Sequence, residues 1–431
     1  MIDYNLGEEC IRYIMKRGVD KCKYIFREDQ TTKLKFTDEI KMLQTNIDKK
    51  IKLTVIKNYK KSSIIINKTD RNSIKKSIDA LIDCCNISEE DENNDISEYQ
   101  FVENFYSGEE EFDINDMYKK VERLLYDIKT FFPKIIISSG HIDFNVTTMR
   151  FINSNGVDFN TIKRIYELKI NYFAKGCNTS SSLSEIHFKF SKLPVSLFEY
   201  GNIKQKLKAS VDQLEYKVIE GKFNGDLIIS PQCLLEFVKI YNYIFLREHS
   251  LICGKSILQG KLNEKIASEK LSISCSPVDS RICDKCFITD DGIKTKNLMY
   301  IDKGILKSYL LNIYGGKKTG YGFTPSTEII IVENGESDLD DMIKSTHRGI
   351  ILNNFSSIEP EINGDFSGIA KNSYYVENGE VKYPIIGAKI IGNLYKMFNS
   401  IESISKNVLN MGFAIMPYVK VNNVSICGDL K

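Results

Sequence analysis

The feature that most constrains this chain is a two-residue alternation of apolar and polar side chains, punctuated by glycine and asparagine. Asn153-Ser154-Asn155-Gly156 reads as a turn, because Asn and Gly tolerate positive φ. Strands are predicted before it, at Ile135-Ile136-Ile137, Ile142-Asp143-Phe144-Asn145-Val146 and Thr148-Met149-Arg150-Phe151-Ile152, and after it over 163–173. Nearer the N-terminus, Lys33-Leu34-Lys35-Phe36, the stretch 47–56 and Ser63-Ile64-Ile65-Ile66-Asn67 alternate in the same way, with Ile51, Leu53 and Val55 on one face. Helical spacing returns over 9–18, closed by Gly18, and over 70–85 through Ile74, Ile78, Leu81 and Ile82. Further helices are predicted over 114–132, halted before Pro133, and over 196–210 and 234–250. Strands and helices do not alternate as βαβ units, which argues against a doubly wound sheet. The expected class is α+β.

At 431 residues, two or three domains are expected. An α+β module over 1–87 gives way at 88–111 to acidic, polar sequence, Ser88-Glu89-Glu90-Asp91-Glu92-Asn93-Asn94-Asp95 and Gly108-Glu109-Glu110-Glu111. That composition suits a solvated linker, with a docking site for a basic partner as the other reading. A second α+β module spans 112–218. Residues 219–431, where short strands are separated by glycine, are expected to form one large antiparallel β-rich domain.

Basic and acidic residues number 59 and 57, leaving a formal net charge of +2. No strong basic excess speaks for nucleic acid. The first residues lack a basic run followed by an apolar core, so no signal peptide is expected. Apolar runs such as 64–66 and 135–137 are too short to cross a bilayer. Eleven scattered cysteines suit reduced thiols better than a disulfide framework. The expectation is a soluble cytoplasmic protein.

Several phrases in the last segment resemble a known family. Residues 254–268 contain Gly260-Lys261-Leu262-Asn263-Glu264-Lys265-Ile266-Ala267-Ser268, and Ile301-Asp302-Lys303-Gly304-Ile305-Leu306-Lys307-Ser308-Tyr309-Leu310 follows Asp291-Gly292. Then come Asn363-Gly364-Asp365-Phe366-Ser367-Gly368, Tyr375-Val376-Glu377-Asn378-Gly379-Glu380, Pro384 and Ile390-Ile391-Gly392-Asn393-Leu394-Tyr395-Lys396-Met397-Phe398. Pro417 and Val424-Ser425-Ile426-Cys427-Gly428 close the series. In this order and spacing the phrases resemble the PmbA (TldE) side of the TldD/PmbA family of peptide-processing proteases. The likeness is densest over 225–428 and thinnest in the first module, where the family's Gly-x-x-x-Arg-Val strand lacks its glycine and arginine at 48–55. The resemblance implies an N-terminal α/β portion followed by a large β-rich domain.

TldD-type members carry a His-Glu-x-x-x-His zinc motif in the helix before the C-terminal domain and a late cysteine ligand. Zinc hydrolysis needs close nitrogen or sulfur ligands, an open position for water and a nearby carboxylate. Here that helix reads Leu246-Arg247-Glu248-His249-Ser250-Leu251, and no second histidine is near. The four histidines, His141, His187, His249 and His347, are scattered, none is followed by Glu, and the late loop 406–416 holds no cysteine. Cys283-Asp284-Lys285-Cys286, with Cys275 upstream, is one knuckle without a partner, open to reading as surface cysteines, a redox pair or a metal site. No Gly-x-Ser-x-Gly elbow, Walker loop or dinucleotide fingerprint occurs. The glycine-rich 315–322, with Lys317 and Lys318, is expected to be a flexible loop rather than a phosphate cradle.

The resemblance therefore implies a subunit with no catalytic residue and no metal ligand of its own, binding no cofactor, with zinc held by a TldD-type partner in a heteromer. A homodimer is the other assembly considered. The substrate would be unfolded peptide, with roles in peptide-antibiotic maturation and antitoxin turnover. Asn363, Gly364, Asp365, Phe366, Glu377 and Asn378 are the candidate substrate or partner cleft, their bland reading being tight-turn chemistry. The alternatives are a stand-alone metallopeptidase with an atypical site built on Cys283 and Cys286, and a non-enzymatic binding protein, as the family's gyrase-modulator label suggests.

Overall fold

A computed structural model describes residues 4–68, 70–357 and 360–428. Its first sheet is built on two long hairpins. Strands β1 (Lys21–Phe36) and β2 (Ile40–Lys57) pair antiparallel along almost their whole length, and β3 (Lys60–Ile66) adds to β2. Strand β4 (Glu103–Ser107) runs parallel to β6 (Asp158–Ala174), while β5 (Ile135–Asn153) joins β1 to β6 through the 153–156 turn. Strand β7 (Ser184–Phe190) also pairs with β6. The seven strands run β3-β2-β1-β5-β6-β4 with β7 off that path. Strands from 1–87 and from 112–218 thus share one sheet.

Helices cover this sheet because their apolar residues recur once per turn. Helix α1 (Tyr4–Lys16) and helix α2 (Arg71–Ile87) enclose a cluster with Ile51, Leu53 and Val55 at its centre. Asp70 caps α2 by accepting from Ser73 N at 2.8 Å. Helix α3 (Ile114–Phe131), capped by Asp113, and helix α4 (Ile203–Asp212) send Met117, Val121, Leu124, Ile203 and Leu207 into a larger core. That core continues without interruption into the second sheet, through Leu227, Ile229 and Phe237.

The second sheet has 13 strands and is mostly antiparallel, as expected for 219–431. Two parallel pairs interrupt it: Lys222–Ile229 with Arg348–Leu352, and Ile330–Val332 with Ile415–Cys427. Within 88–111, Ile96 and Phe105 are buried and the acidic side chains reach across the molecule. Asp91 meets Lys318 at 2.9 Å and the Tyr314 hydroxyl at 2.8 Å; Asp95 meets Lys21 at 2.6 Å and also Lys317. Lys317 and Lys318 belong to the helix Ile313–Thr319, not to a loop: Asn312 caps its start and left-handed Gly320 ends it. Among the described residues no helix is long and apolar enough to cross a membrane.

Candidate functional site between the two sheets

The helix Pro231–Tyr241 starts where Pro231 supplies a fixed φ at its first turn. Leu234, Phe237, Val238 and Tyr241 are buried, so one side of the helix is cemented into the common core. A π-type stretch, Asn242–Leu246, follows, with fully buried Asn242 donating to the Tyr300 hydroxyl at 3.0 Å. The chain breaks into extended geometry at Arg247 before the short helix Glu248–Ile252. The single helix expected over 234–250 is therefore three pieces.

Beside the helix, the late loop turns at Gly412. Its carbonyl accepts from Cys283 N and Asp284 N, both at 2.9 Å, and Lys189 N donates to Met411 O at 2.9 Å. Gly412 has φ +85°, and a Cβ there would stand 2.0 Å from Lys189 O. Only glycine fits this close approach of three chain segments.

These elements enclose a cleft of about 680 Å³, walled by Cys233, Glu236 and Ile240 from the helix, His187 and Lys189 from β7, and Met411 and Phe413 from the late loop. On one side lies a charged cluster. Asp284 accepts from Lys163 and Lys189, each at 2.6 Å, and His187 Nε2 lies 2.8 Å from Glu167 Oε1. The His187 ring packs on Phe413 with centroids 4.5 Å apart. The hydrogen bond from His187 pulls the Glu167 carboxyl down to about 2, against the opposing effect of burial and with help from Lys189. Burial favours the neutral form of Asp284, but the two ammonium groups outweigh it and hold that carboxyl below its usual range. These are charges fixed in place by partners, suited to shaping a wall rather than to carrying protons.

The resemblance sets the TldD-type zinc motif against 246–251 and its late ligand against 406–416; the first of these lies across the break at Arg247 and outside this cleft, where the helix Pro231–Tyr241 and the late loop meet. The donors do not suit zinc. From the helix come Glu236 and Cys233, whose thiol burial pushes far up, and from the loop a thioether and a phenyl ring. Among the described residues no group of three or more His, Cys, Asp or Glu is placed to hold a metal ion. The Cys283 and Cys286 pair offers no exception: Cys286 Sγ donates to Ile288 O at 3.3 Å, and burial raises its pKa. Cys275 is buried in the strand Ile273–Cys275, its thiol pushed up to about 12. His249 is exposed on the helix past the break, lying over Tyr243 with centroids 6.4 Å apart.

The six candidates from sequence fall in two places. Asn363 and Gly364 form the turn before the strand Asp365–Lys371, with Gly364 at φ +89°. Asn393 Nδ2 donates to Asn363 O at 3.0 Å and to Asp365 Oδ1 at 2.8 Å. Asp365 and Phe366 line a separate open cleft of about 580 Å³, shared with Glu361, Lys396 and Asn422. Phe366 also reaches the core, packing on Phe237 with centroids 5.4 Å apart. Glu377 and Asn378 lie at the other end, on the hairpin between Ser373–Glu377 and Glu380–Ile385. There Glu377 accepts from the Tyr375 hydroxyl at 2.9 Å and Asn378 N donates to His347 O at 2.7 Å. They line neither cleft.

The charged cluster escaped sequence reasoning. A signal was present: Lys163 and Glu167 lie four apart, and His187 and Lys189 two apart, so each pair shares a strand face. Only the register that sets Glu167 opposite Lys189 joins them into one patch.

A family model described as the PmbA/TldA metallopeptidase C-terminal domain matches residues 221–428. An uncharacterized protein of Methanocaldococcus jannaschii is 27% identical over 403 residues, covering 87% of this chain and 89% of its own. A metalloprotease PmbA homolog of Buchnera aphidicola is 27% identical over 180 residues, covering 39% of this chain and 40% of the relative. A zinc metalloprotease TldD homolog of Saccharolobus solfataricus is 27% identical over 192 residues, covering 38% and 43%. Among solved structures, a Bacteroides thetaiotaomicron protein labelled a modulator of DNA gyrase superposes with a TM-score of 0.87 at 20% identity, over 99% of this chain and 98% of that one. TldE from Thermococcus kodakarensis superposes with a TM-score of 0.82 at 18% identity, over 98% and 100%. Residues 221–428 therefore belong to the PmbA/TldD metallopeptidase C-terminal domain family, and the chain as a whole shares the fold of the solved TldE.

Proposed function

We propose that this chain is a TldE-type subunit without zinc, which joins a TldD-type protease chain to process or degrade unfolded peptides in the cytoplasm. One observation carries the reading: the helix and the late loop converge on the 680 Å³ cleft, yet bring no donor set suited to zinc. Peptide hydrolysis at neutral pH needs an activated water or nucleophile, and a partner's metal would supply that activation. This chain's residues would restrict entry and hold the peptide. The cleft suits an extended chain, since strand β7 forms part of its wall. A fold shared with TldE, and sequence likeness over 39% and 38% of the chain to relatives named metalloproteases, support the reading.

The test measures degradation of an unstructured peptide by this chain alone, by a TldD-type chain alone and by the mixture, together with elemental analysis. Silence alone, a gain on mixing and no stoichiometric zinc are expected. About one zinc per chain, lost together with activity on chelation, would sink the reading.

A further inference from the structure

The interdomain cleft continues past His187. It leads into a smaller chamber of about 320 Å³, and Ser184, Lys206, Gln232, Asn353 and Asn354 line both spaces. Lys206, on α4, stands at the junction. Its helix neighbours are engaged, Lys204 by Glu199 and Lys208 by Asp212 at 2.5 Å. Among the described residues Lys206 itself has no ion-pair partner, and Glu185, on the rim of the cleft, acts on it only from beyond that range. Burial pushes its amine down to about 8, against the weaker pull of Glu185. An ammonium in such a wall is a standing site for an anion.

A second observation points into the same chamber. Asn372, 3% exposed, bends the chain between the strands Asp365–Lys371 and Ser373–Glu377 with φ +49°. Its amide nitrogen lies against the hydroxyls of Ser184 and Ser210 and donates to Ser182 O at 3.5 Å, and that carbonyl, which can only accept, sets the orientation of the amide. Its Oδ1 is buried and has no hydrogen-bond partner among the described residues. An orphaned buried acceptor is stabilised by a donor from a ligand. The chamber therefore offers one unpaired cation and one fixed acceptor. A phosphate calls for more positive charge, whereas a single carboxylate next to an N–H matches both.

We propose that this chamber binds the C-terminal end of a peptide, its carboxylate paired with Lys206 and its last N–H facing Asn372 Oδ1. The proposal rests on the reading of the large cleft as a peptide site and makes free C-termini the preferred substrate class.

The test is fluorescence anisotropy with a labelled unstructured peptide in two forms, free acid and C-terminal amide. The wild-type chain is expected to bind the acid about tenfold more tightly. Lys206→Met should bind both forms at the amide's affinity, and Lys206→Arg should keep the preference. Thermal unfolding shows whether Lys206→Met is folded. Independently of that variant, the acid and not the amide should protect Lys206 from an amine-reactive reagent, read by mass spectrometry. Equal binding of the two forms by the wild type, or a preference that survives in folded Lys206→Met, overturns the subsite and leaves the peptide cleft standing. Displacement by acetylalanine at the peptide's own concentration also overturns it, in favour of a small carboxylate. Binding of neither form overturns the peptide cleft and the subsite together.

Discussion

Lys189 Nζ lies 2.6 Å from Asp284 Oδ2, so charge ties strand β7 of the first sheet to a loop of the 219–431 segment. Lys163 closes on the other carboxylate oxygen at the same 2.6 Å. The three groups are largely withdrawn from water, with side-chain exposures of 20%, 16% and 28% for Lys189, Asp284 and Lys163. Such a pin sets the width of the cleft, because His187 shares β7 with Lys189, and Phe413 follows Gly412, whose carbonyl accepts from Asp284 N.

Asp284→Asn should destabilise the chain by about 1–3 kcal/mol, since it removes one partner from two charge-assisted bonds. The native carboxyl ionises below its usual range, so its contribution is present above the unfolded value and is lost as pH falls through the native one. Thermal unfolding of the wild type should therefore weaken below roughly pH 4, and Asp284→Asn should show a shallower fall there. Equal slopes for the two proteins would refute the linkage.

Gly412→Ala tests the same seam through the backbone. The added methyl group meets Lys189 O at 2.0 Å, and φ +85° is strained for alanine. A loss of about 2–4 kcal/mol is expected from the clash and the left-handed conformation together. Denaturant unfolding measures it. A change within experimental error would mean that the late loop is not held as described.

The thiols separate a metal site from incidental cysteines. Cys84, Cys177 and Cys253 are exposed and should react first with a maleimide in the folded chain. Cys286 should lag behind them, because its thiol is hydrogen-bonded to Ile288 O and its pKa is raised by burial. Mass spectrometry of a reaction time course gives the order. Added zinc should leave the rates at Cys283 and Cys286 unchanged; protection of both would restore the reading of an atypical metal site.

Local pattern made much of the fold legible, because period two and period 3.6 are written in each segment. Errors came where a distant contact overruled the local signal. The strands expected separately at 135–137 and 142–146 are one, since β5 runs through Gly140 with a register shift between Ile137 and Ser139. The glycine is there because the Phe36 ring lies where its Cβ would be, 2.1 Å away. Residues 315–322 read as a loop from four glycines, but Asn312 and Gly320 cap a helix whose lysines are held by Asp91 and Asp95. The site was less legible than the fold. His187, Asp284 and Phe413 are separated by about a hundred residues each, and no periodicity connects them.

The last prediction concerns the loops first marked in the sequence, in a mixture with a TldD-type chain. Asp365 and Glu377 both precede or follow an Asn-Gly turn, and from sequence alone they are equivalent. In the fold they are not: Asp365 faces the 580 Å³ cleft, whereas Glu377 is spent on the Tyr375 hydroxyl and lines neither cleft. Asp365→Ala removes an acceptor for Asn393 and Asn363 on an exposed turn, costing about 1 kcal/mol of stability. If the cleft faces a shared chamber, that substitution should slow peptide turnover by the mixture several-fold. Glu377→Ala should leave turnover within about twofold, because a group that does not touch substrate cannot lower the barrier selectively. The measurement is the initial rate of degradation of an unstructured peptide, with each variant's melting temperature taken in parallel. Equal effects from the two substitutions would mean that this cleft is no part of a peptide path, and that its asparagines and Lys396 serve the fold alone.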